Sequence, residues 1–168
     1  MRGQALIEVL IAIAIGVLIL TSATVSTVGS LGNMVHIKSQ SDAKEYAQEG
    51  IDIMENMQTI NASTFYGETI GKYCLPLTCA PGGTKSLDIT CLTPYSPGAC
   101  VIPVPLNPKL NINYIRTVTF ANSCGDSSPG IEKLVQVNVS WTDSKCDIGH
   151  PLCNSYSINN CFNDYQSP

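Results

Sequence analysis

Glu8 stands at the head of a long uncharged run, with no Asp, Glu, Lys or Arg between it and Lys38. A carboxylate in a membrane-length helix costs about 2.5–3.5 kcal/mol at mid-bilayer, so such a residue is a functional candidate by default. The plain alternative is an interfacial carboxylate favoured by the helix macrodipole. An ordinary signal peptide cut near Ser22-Ala23 is a second alternative, but it leaves Glu8 inside the apolar core with only Arg2 before it. The second chemical set is the cysteines: Cys74, Cys79, Cys91, Cys100, Cys124, Cys146, Cys153 and Cys161. Eight is an even number and high for a reducing cytoplasm, which points to disulfides in an exported domain. Cys146, His150, Cys153 and Cys161 offer zinc-ligand atoms, but there is no Cys-x-x-Cys pair and the spacing matches no strong zinc pattern. Asp143 and Asp147 flank a loop that could offer oxygens to calcium, although two loop carboxylates are more often simply solvated. The reading therefore expects no metal and no cofactor.

Catalytic groups are sparse. The histidines are His36, beside the apolar run, and His150, in a Cys-rich loop; no nucleophile elbow and no phosphate-cradling glycine loop is present. Asn61-Ala62-Ser63 and Asn138-Val139-Ser140 fit the glycosylation triplet, which is common by chance. The sequence is not expected to be an enzyme. A net charge of −4 also disfavours direct nucleic-acid binding, which needs a concentrated basic face.

The elements that must carry these residues follow from composition. Apolar residues are 44% of the 168 and charged residues 13%, against roughly 25% charged in a usual soluble chain. Cysteine is absent before Cys74 and proline before Pro76, so the chain divides into a front without either and a back that holds all of both. Residues 4–31 are apolar or small and long enough to cross a bilayer core, which needs about 20. Over residues 32–60 the run turns amphipathic. Ala43, Ala47, Ile51, Met54, Met57 and Ile60 recur at three- and four-residue spacing and form one apolar face. Gly29, Gly32 and Gly50 each weaken a helix by up to about 1 kcal/mol, so a break near Gly29 and Gly32 is a possibility. A continuous helix over 4–60 would be roughly 85 Å long.

The back reads as strands. Val135, Val137, Val139 and Trp141 alternate with polar residues over 133–141, and Tyr114, Val118 and Phe120 share a face over 112–120. Turn residues between Ser123 and Glu132 favour a reversal. A third strand is expected at 155–162 and a weaker one at 86–91. Five prolines over 93–108 exclude a helix or a central strand there. The fold class is α+β: a long N-terminal helix packed on a C-terminal antiparallel sheet stapled by disulfides.

Met1-Arg2-Gly3, then Gln4-Ala5-Leu6-Ile7-Glu8 and the apolar run, resembles the type IV prepilin family. In that family a short basic leader ends in Gly, a dedicated peptidase cuts after it and methylates the new N-terminus, and the fifth mature residue is Glu. The resemblance implies a leader over 1–3, cleavage between Gly3 and Gln4, and an assembly role for Glu8. Two positions depart from it: Gln4 stands where Phe is usual, and Val25 where a proline is frequent. It further implies a membrane and filament-core helix over 4–31, its continuation over 32–60, and an extracytoplasmic Cys-rich domain over 61–168, the lollipop plan of pilins. The two strands 114–120 and 134–141 look like the sheet hairpin of minor pilins and pseudopilins, while 74–108 matches nothing assignable.

The expected function is a structural subunit, a minor pilin or pseudopilin of a type IV pilus-like filament or a type II secretion pseudopilus. Its partners would be the prepilin peptidase, other pilin subunits through the N-terminal helix, and the membrane. It would sit first in a bacterial or archaeal cytoplasmic membrane, single-pass with the C-terminal domain outside, and then in the filament. The alternative is a membrane-anchored extracytoplasmic binding module, an adhesin or receptor, that does not polymerise. A three-strand meander would bring Cys124 to Cys161 and leave Cys146 to pair locally with Cys153. For the other four, the expectation is Cys74 with Cys79 and Cys91 with Cys100, one of three arrangements open to four cysteines.

Overall fold

The structure is a computed structural model that describes residues 2–79, 89–96, 100–102, 112–121, 124, 132–143, 146–147, 149 and 152–163. One helix, α1 (Arg2–Ile60), takes up the first third of the chain. It runs through Gly29 and Gly32 without a break, the continuous form of the two that the sequence left open. The chain divides into two compact units, residues 1–38 and 39–168.

Among the described residues of the first unit, α1 buries none of its large apolar side chains. Ile7, Leu10, Ile13, Val17, Leu20, Val25, Leu31 and Met34 are all more than half exposed. Several of its hydroxyls bond back to the helix: Thr21 Oγ1 donates to the carbonyl of Val17 at 3.0 Å, Ser22 Oγ to that of Ile19 at 2.9 Å, and Thr27 Oγ1 to that of Ala23 at 2.8 Å. Such back-bonds consume the donors within the helix, which lets a Ser/Thr stretch sit where there is no water.

The second unit is a helix-on-sheet layer. After residue 60 the chain makes a short helix, α2 (Ala62–Gly67), whose N-cap Asn61 accepts from the Thr64 amide. Six strands follow: β1 (Gly71–Cys74), β2 (Thr93–Pro94), β3 (Val101–Ile102), β4 (Tyr114–Ala121), β5 (Glu132–Trp141) and β6 (Asn154–Asn163). β4, β5 and β6 form the expected antiparallel meander, and the full order is β2-β1-β4-β5-β6 with β3 also on β4. β1, β2 and β3 are additions to the expected strands. The weak strand expected at 86–91 is not one: Ile89–Cys91 forms a 3-10 turn, and 86–88 lie outside the described residues.

Alternation makes one face of the sheet apolar, with Val118 and Phe120 from β4 and Val135, Val137, Val139 and Trp141 from β5. The 39–60 stretch of α1 covers it with Ala43, Ala47, Ile51, Met54 and Met57. Ile53 is buried as well, while Ile60, expected on the buried face, is 60% exposed at the end of the helix. Gly50 is the point of closest approach. A Cβ built there would lie 2.7 Å from Val137 Cγ1, so only glycine lets the helix come this near the sheet.

The four disulfides are Cys74–Cys100, Cys79–Cys91, Cys124–Cys161 and Cys146–Cys153. The last two are the pairs that the meander brings together. The expected Cys74–Cys79 and Cys91–Cys100 pairing is wrong, and β4 is the reason. β1 places Cys74 opposite Thr117, and the Arg116 amide donates to the Cys100 carbonyl at 3.1 Å, so both cysteines are held at neighbouring positions along β4. Cys79 and Cys91 then close the inner loop, each in its own 3-10 turn.

Candidate functional site

The site residues taken from the sequence fall in α1. Gly3 and Gln4 belong to its first turns, and Glu8, one turn beyond Gln4, is exposed. The i, i+4 spacing sets Glu8 over Gln4 on one side of the helix. Beyond Glu8 the helix carries an 18-residue stretch apolar enough to cross a membrane, none of it buried. In water each large aliphatic side chain left exposed forgoes about 1.5–3 kcal/mol of burial. The run from Ile7 to Ile37 therefore needs lipid or other protein around it. By length and composition it fits a membrane anchor or a signal segment, and four disulfides fit an extracytoplasmic domain.

The second unit holds two buried cations that the sequence reading left unused. Arg116 of β4 is fully buried on the helix-facing side of the sheet. Its Nε donates to the Leu75 carbonyl at 3.0 Å, and one terminal nitrogen donates to the Tyr46 carbonyl at 3.1 Å and to Glu49 Oε2 at 2.9 Å. Burial lowers its pKa, and the Glu49 carboxylate works against that shift. One guanidinium thus fastens α1 to β4 and to the segment after β1. Lys133 of β5 is 3% exposed and lies over the Phe120 ring. Its Nζ donates to the carbonyls of Phe65, Tyr66 and Glu68, so all three of its protons are used. These carbonyls lie at the C-terminal end of α2 and its cap Glu68, where a cation is favoured, and that of Phe65 also accepts from the Glu68 amide at 3.4 Å. Burial lowers the Lys133 pKa and the Glu68 carboxylate opposes it. Both cations were legible as positions: each has the parity of the apolar residues in its own strand.

The geometry of these groups is that of a clasp. Neither cation reaches an open cleft. In a groove lined by Glu55, Gln58, Thr59, Asn160 and Asn163, Asn160 Nδ2 donates to Glu55 Oε1 at 3.1 Å, and Gln58 Nε2 donates to the Tyr66 hydroxyl at 2.6 Å. Two groupings look like metal sites, Cys124 with Glu132 and Cys161, and Asp143 with Cys146 and Cys153. The sulfurs in both are disulfide sulfurs, which offer no thiolate, so each keeps a single carboxylate. Of the zinc candidates, His150 lies outside the described residues; Asp147, the calcium candidate paired with Asp143, is exposed.

Comparison with known proteins finds no matching family model, no significantly similar curated protein and no significantly similar solved structure.

Proposed function

We propose that this chain is a pilin-like structural subunit, a minor pilin or pseudopilin, that waits in a membrane and is assembled into a filament after its N-terminus is cut between Gly3 and Gln4. The observation that carries the reading is the 7–37 stretch of α1: continuous helix, rich in exposed large apolar side chains, with Glu8 near its head as its one carboxylate. A helix that only anchors needs the apolar residues and gains from Glu8 no more than a small helix-start term. A helix that moves from lipid into a protein core has a use for it. Cleavage would create an α-amino group on Gln4, with a reference pKa near 7.7–8.0 and so largely cationic at neutral pH. That charge is costly in a dry core unless paired. Glu8, one turn up the helix, can meet the amine of its own chain or of the neighbouring subunit. Losing one partner of a buried pair costs roughly 3–5 kcal/mol, and the loss would recur at every subunit added.

Several features support the plan around this helix. The head is an antiparallel sheet roofed by the continuation of the same helix, and its disulfides suit the outside of a cell. Glu8→Leu tests the assembly role. The variant should insert in the membrane at least as well as wild type, yet be depleted from sheared extracellular filaments. Equal incorporation of the variant and wild type would leave a membrane-anchored binding module as the better account.

A further inference from the structure

We propose that Cys146–Cys153 is a thiol-exchange site, opened ahead of the other three disulfides by an incoming thiolate that attacks Cys153 Sγ. Exchange needs one sulfur that can be reached and another that leaves easily as a thiolate. Access removes two of the four pairs, since Cys74, Cys100, Cys79 and Cys91 are each at most 2% exposed. Two pairs remain, each with one exposed and one half-buried cysteine: Cys153 with Cys146, and Cys161 with Cys124.

The leaving sulfur separates these two. A carboxylate stands within 4.8 Å of the sulfurs in both, Asp143 in one and Glu132 in the other, so its repulsion of a thiolate is common to them. The N–H donors are not. Asn154 Nδ2 donates to Cys146 Sγ at 3.5 Å and to Cys153 Sγ at 3.3 Å, and the Asp143 amide donates to Cys146 Sγ at 3.5 Å. At the other pair Cys161 Sγ faces an oxygen, Asn163 Oδ1 at 3.6 Å, and among the described residues no N–H reaches either sulfur. The fold sets the donors. Asn154 opens β6 opposite Trp141, at the last rung of the β5–β6 ladder. The Cys146 amide donates to the Asp143 carbonyl at 3.1 Å, a turn that folds Cys146 back beside the Asp143 amide. Hydrogen bonds to the charged form favour a thiolate, so Cys146 leaves and the exposed Cys153 is attacked.

The reductant is an external thiol. Its thiolate forms a bond to Cys153 Sγ, the Cys146–Cys153 bond breaks, and the electron pair departs on Cys146 Sγ, held by the two N–H groups. A second thiolate attacks the reductant's sulfur in the mixed disulfide and releases Cys153, leaving the reductant as its own disulfide. Opening frees the connection between β5 and β6, while the ladder from Glu132–Asn163 to Trp141–Asn154 stays paired.

The site does not depend on how the N-terminus is processed, so it can fail while the filament reading stands, and the reverse. The test incubates the full chain in detergent with reduced glutathione, quenches a time series with acid and maps the cysteines by peptide mass. Cys146–Cys153 should open about tenfold faster than Cys124–Cys161, with glutathione on Cys153 and Cys146 free in the early samples. Asn154→Leu removes a donor at similar size. It should slow that opening about fivefold and leave Cys124–Cys161 at its wild-type rate. Circular dichroism reports whether the variant is folded. An unfolded variant would open all four pairs faster together, and the order and the glutathione position in wild type then decide. Cys124–Cys161 opening first, glutathione chiefly on Cys146, or a folded Asn154→Leu that opens as fast as wild type would overturn the proposal.

Discussion

At the scale of single residues, the head is held by groups with no slack. Gly50 allows α1 to lie against Val137, and alanine there would gain about 1 kcal/mol of helix propensity while forcing a methyl to 2.7 Å from a stiff β-branched side chain. Overpacking of this kind typically costs 1–3 kcal/mol, so Gly50→Ala should lower stability, measured by denaturant unfolding of the oxidised protein. An unchanged or raised midpoint would mean that helix and sheet separate easily. Tyr114 makes a second test. Burial pushes its phenol up to about 12, with Asp42 and Tyr46 adding to the shift and the hydrogen bond to Ser39 opposing it. Its neutral form is thus favoured by folding. Between the ordinary tyrosine value of about 10 and about 12, the unfolded chain has lost this proton and the folded chain keeps it. Stability from this residue is therefore whole below pH 10 and falls as pH rises towards 12. Tyr114→Phe should flatten that part of the stability–pH curve, and an equal alkaline slope in both proteins would assign the loss to other groups.

Among the elements, periodicity spoke where one physical rule dominated. The three long strands were legible because their apolar residues alternate over eight to ten positions. The amphipathic part of α1 was legible from its Ala/Ile/Met stripe. β1, β2 and β3 were not, since strands of two to four residues are too short to show a period and are fixed by pairing with neighbours. Missing β1 and β3 led directly to the wrong partners for Cys74 and Cys100, because only those strands reveal that both meet β4. Arg116 and Lys133 were passed over for another reason: a cation at a core parity contradicts its pattern until the carbonyls that receive it are known. Their partners come from α1, α2 and the segment after β1, elements distant in sequence. The disulfides yield an element-scale expectation. Cys124–Cys161 closes a separation of 37 residues and Cys146–Cys153 one of 7. If chain entropy governs, replacing the first pair by serines should cost about 1.5 kcal/mol more than replacing the second. Equal losses in unfolding experiments would show that local packing, not loop closure, sets their worth.

For the molecule as a whole, the physical problem is one polypeptide matched to two environments. The first unit exposes large apolar side chains along the helix, with the hydroxyls of Thr21, Ser22, Thr24 and Thr27 bonded back to its backbone, and the second is a disulfide-closed sheet whose buried cations are Arg116, paired with Glu49, and Lys133, bonded to three carbonyls. A permanent anchor and an assembling subunit share this division, and they part at the N-terminus. The decisive measurement is the intact mass and N-terminal peptide of the protein extracted from the membranes of cells that make it. A filament subunit begins at Gln4 with a methylated amine, and Gly3→Arg abolishes that end. A chain that still begins at Met1, or one that begins near Ala23, would contradict assembly through Glu8 and leave an anchored module or a secreted domain in its place.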